Sequence, residues 1–505
     1  MIGKIFFEFI YIDFFKKSKE KIILLFLLLL FTIFELSKSQ QVVQKNFLFK
    51  PSVSRIASNE IATILIDKNR IWFGTNKGLS FTDDDGLNFY NYAYKDGMGK
   101  GSVSSIGIKD NVIWVATAFD TTVSVGMVDV GGGLSYSTDN GKTWRWIPQP
   151  IDALDDTSNG KKPTTTSVQN VTYDIAFTKD EIWIASWGGG LRKSSDLGKI
   201  WQTVTPDKFA FNVLNNLNHR AFSVISARNG LWVGTAGGIN KSTDGGENWT
   251  NYTAQNGSGI SGDFVVAIGE QVVQNKSIIW AATWKAEGEN EFDAVSKTEN
   301  GGLSWEVTLI GEQAHNFEFN GNEVYVATNK GLYKSVDFGK TWAVFPQIKD
   351  DTGLEILTNE IYSIGIKGED LWVGTNDGLA KTSNKGISWK IFRAFKSTET
   401  NSEPATYAYP NPFSPSRHNV YENEGYVRIQ YNTKNDTRIT VKIFDFGMNL
   451  VRTLVEYKPR PGGGDYYEVW DGRNDNGVIV ANGVYFYKLK RDGEKDAWGK
   501  IVVLN

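Results

Sequence analysis

A chain of 505 residues exceeds what one ordinary core fills, so at least two domains, or an array of repeats, are expected. Its 54 Lys and Arg nearly balance 57 Asp and Glu, and the net charge of -3 leaves no basic footprint for nucleic acid. With no Cys and three His, disulfides, thiol catalysis and thiolate metal sites are excluded, a zinc site is disfavoured, and no cofactor or metal is implied.

Residues 1–39 read as a secretory signal. Lys16, Lys17, Lys19 and Lys21 precede the apolar run 22–34, and Ser37-Lys38-Ser39 supplies small residues for cleavage. The run is shorter than the roughly 20 residues that span a bilayer. Retention as an uncleaved anchor is the alternative, in view of the Phe- and Ile-rich segment 1–15.

From Ile61 onward one pattern recurs: an apolar strand with an aromatic followed by small residues, written Ile71-Trp72-Phe73-Gly74-Thr75 in the first copy. The aromatic positions are Trp72, Trp114, Trp183, Trp232, Trp280, Tyr325 and Trp372, spaced by 42, 69, 49, 48, 45 and 47 residues. That period belongs to propellers. A second motif, Ser/Thr-x-Asp-x-Gly-x-x-Trp, follows each anchor and centres on Asp84, Asp139, Asp196, Asp244, Asn300, Asp337 and Asn384. Here an Asp or Asn accepts hydrogen bonds from its own turn and the Gly takes a conformation closed to other residues, so these seven read as structural locks, neither acids nor calcium ligands. Four strands are expected per unit, in the first at 61–67, 70–74, 79–82 and 88–94. Segment 42–48 is expected to pair with the last blade and close the ring.

The second motif resembles the Asp-box, or BNR, repeat of sialidases and sortilin-type receptors. The Trp-Val-Gly-Thr steps resemble the propellers of two-component regulators. The resemblance implies a seven-bladed β-propeller over residues 40–395, but the same repeat serves hydrolases, receptors, assembly factors and sensors, so it does not imply one activity.

Strand alternation puts the turn after the second strand and the crossing to the next blade on one face, and the Asp turns on the other. The irregular segments 119–131, 149–170, 206–218, 284–293 and 346–359 belong to the first face, where a ligand is therefore expected. Trp187, Trp284, Phe119 and Arg192 are the candidate ligand-binding residues, the aromatics by stacking on a sugar ring or an apolar side chain. Glu287, Glu289, Glu291 and Asp293 read as a solvated acidic loop in preference to a calcium site.

Residues 396–406 read as a polar linker, and 407–505 as a small Ig-like β-sandwich with strands at 427–431, 439–446, 450–455, 466–470, 484–490 and 500–504. Three stretches carry a resemblance: Tyr409-Pro410-Asn411-Pro412-Phe413, Trp470-Asp471-Gly472-Arg473-Asn474, and Gly483-Val484-Tyr485-Phe486-Tyr487. They are similar to the C-terminal sorting domain of type IX secretion substrates and to the Ig-like domain of the flagellar hook-capping protein. This implies export to the surface or exterior of a bacterium, with the type IX machinery as a partner.

The expected function is an exported module that binds a protein or glycan, with no catalytic residue assigned. A secreted, sialidase-like glycoside hydrolase is the alternative, and a sensor-like propeller a third. Ser54-Arg55-Ile56-Ala57 matches only part of the Phe-Arg-Ile-Pro signature of sialidases, and no nucleophile elbow, P-loop or His-Glu-x-x-His pattern is present.

Overall fold

The computed structural model describes residues 52–124, 126–152, 167–395, 398 and 405–505. The expected signal at 1–39, the segment 42–48 and most of the expected linker 396–406 lie outside these. Each repeat unit folds into its own antiparallel sheet from strands consecutive in sequence. In the first, Ile61–Asp67, Arg70–Thr75, Gly78–Thr82 and Phe89–Tyr92 run from the inner to the outer edge, within two residues of the expected strands. The other inner strands are Ser102–Lys109, Thr172–Phe177, Ala221–Ala227, Phe264–Val273, Ala314–Asn320 and Ile361–Lys367. Each packs on the next, and the last packs back on Ile61–Asp67, closing a ring of seven blades.

The second strand of every blade is apolar along its length because the neighbouring blades cover both its faces. Trp72, Trp114, Trp183, Trp232, Trp280 and Trp372 are at most 2% exposed, and burying such a ring contributes about 1.5–3 kcal/mol. In all seven turns the Ser or Thr hydroxyl donates to the Asp or Asn Oδ1, accepts from the Gly N–H, and the same Oδ1 accepts a second N–H four residues on, at 2.8–3.0 Å.

The turns also join blades. Gly246 has φ +91°, and a Cβ there would stand 2.6 Å from Trp183 of the preceding blade. The motif's own aromatic packs the same way, Trp249 on Trp183 at 6.5 Å and Trp342 on Trp280 at 6.3 Å.

The last seam uses the same parts: Phe89 meets Phe392 at 5.4 Å, Phe73 meets Trp372 at 5.6 Å, and Ser363 donates to the Ile61 carbonyl. The N-terminal strand Ser52–Ser54 pairs with Phe89–Tyr92, so it extends the outer edge of the first blade.

Residues 406–503 form two sheets. One holds Thr406–Tyr409, Val427–Thr433 and Gly464–Trp470, and the other Thr437–Phe444, Leu450–Arg460, Gly483–Arg491 and Ala497–Val503. They enclose one core in which Phe413, Ile429, Tyr431, Val441, Trp470 and Tyr487 are fully buried. The chain is therefore all-β, a seven-bladed propeller followed by a small sandwich. The strand Thr406–Tyr409, interrupted by the prolines that follow, had no counterpart among the expected strands.

Candidate binding face and channel mouth

The inner strands carry a repeated irregularity at their second or third residue. Pairing with the second strand skips Ala62, Ser104, Tyr173, Phe222, Val266, His315 and Tyr362 in the seven blades. A bulge at this point turns the residue out of the ladder, and the seven bulges form a ring at the mouth of the central channel, on the loop-bearing face. From blade 3 to blade 7 an aromatic arc follows this ring, with Phe264 and Trp284 standing in for the Val266 bulge of blade 5. Tyr173 meets Phe222 at 5.6 Å, Phe222 meets Phe264 at 4.7 Å, Phe264 meets Trp284 at 6.2 Å, Trp284 meets His315 at 5.4 Å, and His315 meets Tyr362 at 6.1 Å. Blades 1 and 2 contribute the small residues Ala62 and Ser104.

The electrostatics of the arc are those of a desolvated site. Burial pulls the His315 imidazole down to about 4, so it is neutral at pH 7, and its Nε2 is buried without a hydrogen-bond partner. Beside Tyr173, burial pushes the Asp174 carboxyl up to about 6 against hydrogen bonds from Val224 N, Ser223 Oγ and Ile175 N.

The four expected ligand-binding residues all lie on this face, in different roles. Trp284 is 4% exposed, forms part of the arc and donates from Nε1 to the Ala314 carbonyl at 2.9 Å. Trp187 is 6% exposed, packs against Phe222 and carries the Arg220 guanidinium over its ring at 5.2 Å. Both indoles form the wall behind the bulge ring. Arg192 is buried, donates to the Gly189 carbonyl and pairs with Asp152 at 2.9 Å, which occupies its guanidinium structurally. Phe119 is half-buried under Lys100 at 4.2 Å, at the base of the long hairpin Val112–Val123 and Gly126–Ser137.

The acidic insertion differs from a solvated loop in two of its four members. Glu291 is 5% exposed and accepts N–H groups of Ala286, Gly288 and Asp263, while Asp293 accepts from Lys285 N and the Gln313 amide. These carboxylates fold the loop by binding its backbone. Among the described residues no three His, Cys, Asp or Glu gather as a metal site.

Two features of this face were missed at the level of sequence. On the long hairpin Asp120 and Asp129 stand opposite each other. Burial, then a hydrogen bond and charge repulsion from Asp120, push the Asp129 carboxyl up to about 7. The alternation of the hairpin carried that signal, because it pairs the two on one side. The second feature is a junction with the sandwich. Asp377, in the blade 7 turn after the second strand, is fully buried between Arg393 of the propeller and Arg428 of the sandwich. Burial works to raise its carboxyl, but the charges and hydrogen bonds of the two guanidiniums prevail and hold it below the ordinary value. Tyr467 lies under both guanidiniums, and Arg55 pairs with Asp465 at 2.8 Å. The sandwich therefore sits against this face at blade 7 and the start of blade 1.

No known family profile and no curated protein matches the chain. Solved structures do. PorZ, a bacterial surface component of the type-IX secretion system of Porphyromonas gingivalis, is 16% identical with a TM-score of 0.44 over 89% of this chain. The extracellular domain of BT4673 from B. thetaiotaomicron is 14% identical at 0.46 over 91%, and an ancestral GH74 enzyme 16% identical at 0.50 over 92%. The chain spans 60%, 60% and 64% of their respective lengths. At these identities the likeness is one of fold, a β-propeller.

Proposed function

We propose that this chain is an exported propeller, secreted or held on the surface of a bacterium, that binds a protein or glycan at the channel mouth of its loop-bearing face. The observation that carries this reading is the aromatic arc from Tyr173 to Tyr362, a continuous run of ring contacts that includes the neutral His315 and borders the buried Asp174 carboxyl. Residues 1–39 act as the export signal, 40–395 form the propeller with its seven Asp-box turns, 396–406 the linker and 407–505 an Ig-like domain read by the type IX machinery. The arc offers ring faces and few charges, which suits an apolar side chain or a sugar ring better than a polyanion.

The hydrolase alternative gains no support from the hairpin pair. The Asp120 and Asp129 side chains are hydrogen-bonded to each other, whereas glycoside cleavage needs its two carboxyls roughly 5–9 Å apart. The test is a glycan array and a fluorogenic glycoside panel on the exported full chain, beside His315→Leu and Tyr362→Leu. Binding without turnover that either variant weakens is the expected result. Turnover of any glycoside would overturn the reading, and a ligand unaffected by both variants would move the site elsewhere.

A further inference from the structure

The opposite face holds a cavity, and its origin is a break in the repeat. In blades 3 to 7 the third strand places a Lys over the central aromatic: Lys193, Lys241, Lys297, Lys334 and Lys381 stand 5.0–5.5 Å from the rings of Trp183, Trp232, Trp280, Tyr325 and Trp372. In three of these blades an acid at the start of the second strand pairs with that Lys: Glu181 at 3.1 Å, Glu323 at 2.7 Å and Asp370 at 2.6 Å. The Lys thus caps the ring with a charge already partnered.

Blade 1 inverts this arrangement. The Lys position holds Phe81, the acid position holds Arg70, and the outer strand adds Tyr90 where blades 2 to 7 have Arg145, Gln202, Thr250, Glu306, Ala343 and Lys390. Trp72, Phe81 and Tyr90 consequently form one continuous aromatic row across the sheet, at 4.7 and 4.8 Å. Arg70 reaches over Phe81 at 4.6 Å, donates to the Asn140 carbonyl of the blade 2 turn at 3.0 Å and lies 3.9 Å from Asp83. Between this row and the blade 2 turn lies a cavity of about 630 Å³, with Asp83, Asn111, Thr138 and Lys142 around it.

From this geometry we infer a carbohydrate site at the seam of blades 1 and 2, for a short neutral oligosaccharide. Tyr90, the half-buried ring of the row, takes the C–H face of a pyranose, with Phe81, 4% exposed beneath Arg70, packed behind it, and a rim of carboxylate, amide, hydroxyl and ammonium groups matches the ring of hydroxyls. The volume lies within the range of small-ligand sites. Arg70 and Lys142 are balanced by Asp83 and Asp139, so the rim has no excess charge to select an anionic sugar. This site is independent of the channel mouth and lies on the other face.

The test is saturation-transfer NMR and titration of the exported full chain with cellotriose, maltotriose, xylotriose and mannotriose, with a sialylated trisaccharide as the charged comparison. One variant is Tyr90→Ala. A second, Arg70→Glu with Phe81→Lys, installs the acid and Lys of blades 3 and 6 and so keeps a pairing the fold already uses. At least one neutral trisaccharide should bind, and Tyr90→Ala should weaken it about tenfold. The double variant should abolish binding while the thermal midpoint stays near that of the parent, and His315→Leu should leave affinity unchanged. Absence of binding to every neutral trisaccharide at ~10 mM, preference for the sialylated one, or binding that survives both blade 1 variants would each overturn the inference.

Discussion

The two faces of the ring use aspartate in opposite ways. On the turn face, hydrogen bonds from the turn hold Asp244 and Asp337 down at about 2, and the carboxylate is a permanently charged staple. On the loop face, burial pushes Asp174 up to about 6 and Asp129 up to about 7, and Asp377 stays ionised only because two arginines are buried with it. One face repeats a satisfied local solution seven times. The other spends burial on groups that are costly to desolvate, which is where recognition is found in rigid scaffolds.

The largest expected effect tests the costly side. Asp377→Ala leaves Arg393 and Arg428 buried without their carboxylate and should cost about 3–5 kcal/mol, read as a lowered denaturation midpoint together with new protease cleavage near residue 400. A loss below about 1 kcal/mol would mean that the junction between propeller and sandwich is held elsewhere, for instance by Arg55 and Asp465.

Next comes the turn face. Gly246→Ala forces a Cβ to 2.6 Å from Trp183 at φ +91°, so about 2–3 kcal/mol should be lost. Gly245→Ala is the control, because a Cβ there meets nothing within 4 Å although its φ is also positive, at +73°. Equal losses at both positions would show that conformation alone dictates the glycine, and that the turns do not clamp one blade to the next.

The two faces also differed in how far they could be read in advance. Each turn was legible because its donor, acceptor and glycine lie within a few residues, so the motif contains its own partners. The loop face joins partners that are remote in sequence: 16 residues separate Asp377 from Arg393, 40 separate Arg192 from Asp152 and 51 separate Arg428 from Asp377. Trp187 and Trp284 were legible as aromatics on the loop-bearing face, but their burial depends on remote residues: Phe222 of the next blade for Trp187, and Phe264 of its own sheet with His315 of the next blade for Trp284. The bulge ring had a usable signal, since Tyr173, Phe222, His315 and Tyr362 all occupy the second place of an inner strand. So did the seam of blades 1 and 2, where Phe81 stands in line with five lysines.

Proton linkage gives a smaller effect with opposite sign on the two faces. The Asp129 pKa is raised on folding, from 3.8 to about 7, so its contribution is fully present below pH 4 and is lost as pH rises towards 7. Asp129→Asn should therefore leave stability unchanged at pH 4 and raise it by about 1 kcal/mol at pH 8, after allowance for solvent screening. A variant less stable than the parent at pH 8 would show that the hairpin needs a charge at this position.

The smallest effect is expected from Asp244→Asn. Blades 5 and 7 already use Asn300 and Asn384, whose Oδ1 accepts from the Thr hydroxyl and from Ser304 N or Ser388 N, while Nδ2 donates to the Ser hydroxyl at 2.8 Å. In blade 4 the partner is Asn248, which donates its amide to Asp244 Oδ2 at 2.7 Å, so the substitution requires that amide to flip. At pH 7 the thermal midpoint should stay close to that of the parent. The difference should emerge in acid: the Asp244 pKa falls on folding, from 3.8 to about 2, so its contribution is present above pH 4 and is lost as pH falls towards 2. The Asn variant has no such proton to bind, and its curve should be the flatter of the two between pH 4 and pH 2. Parallel curves would mean that the charge on the staple is incidental and that its oxygen geometry alone maintains the turn.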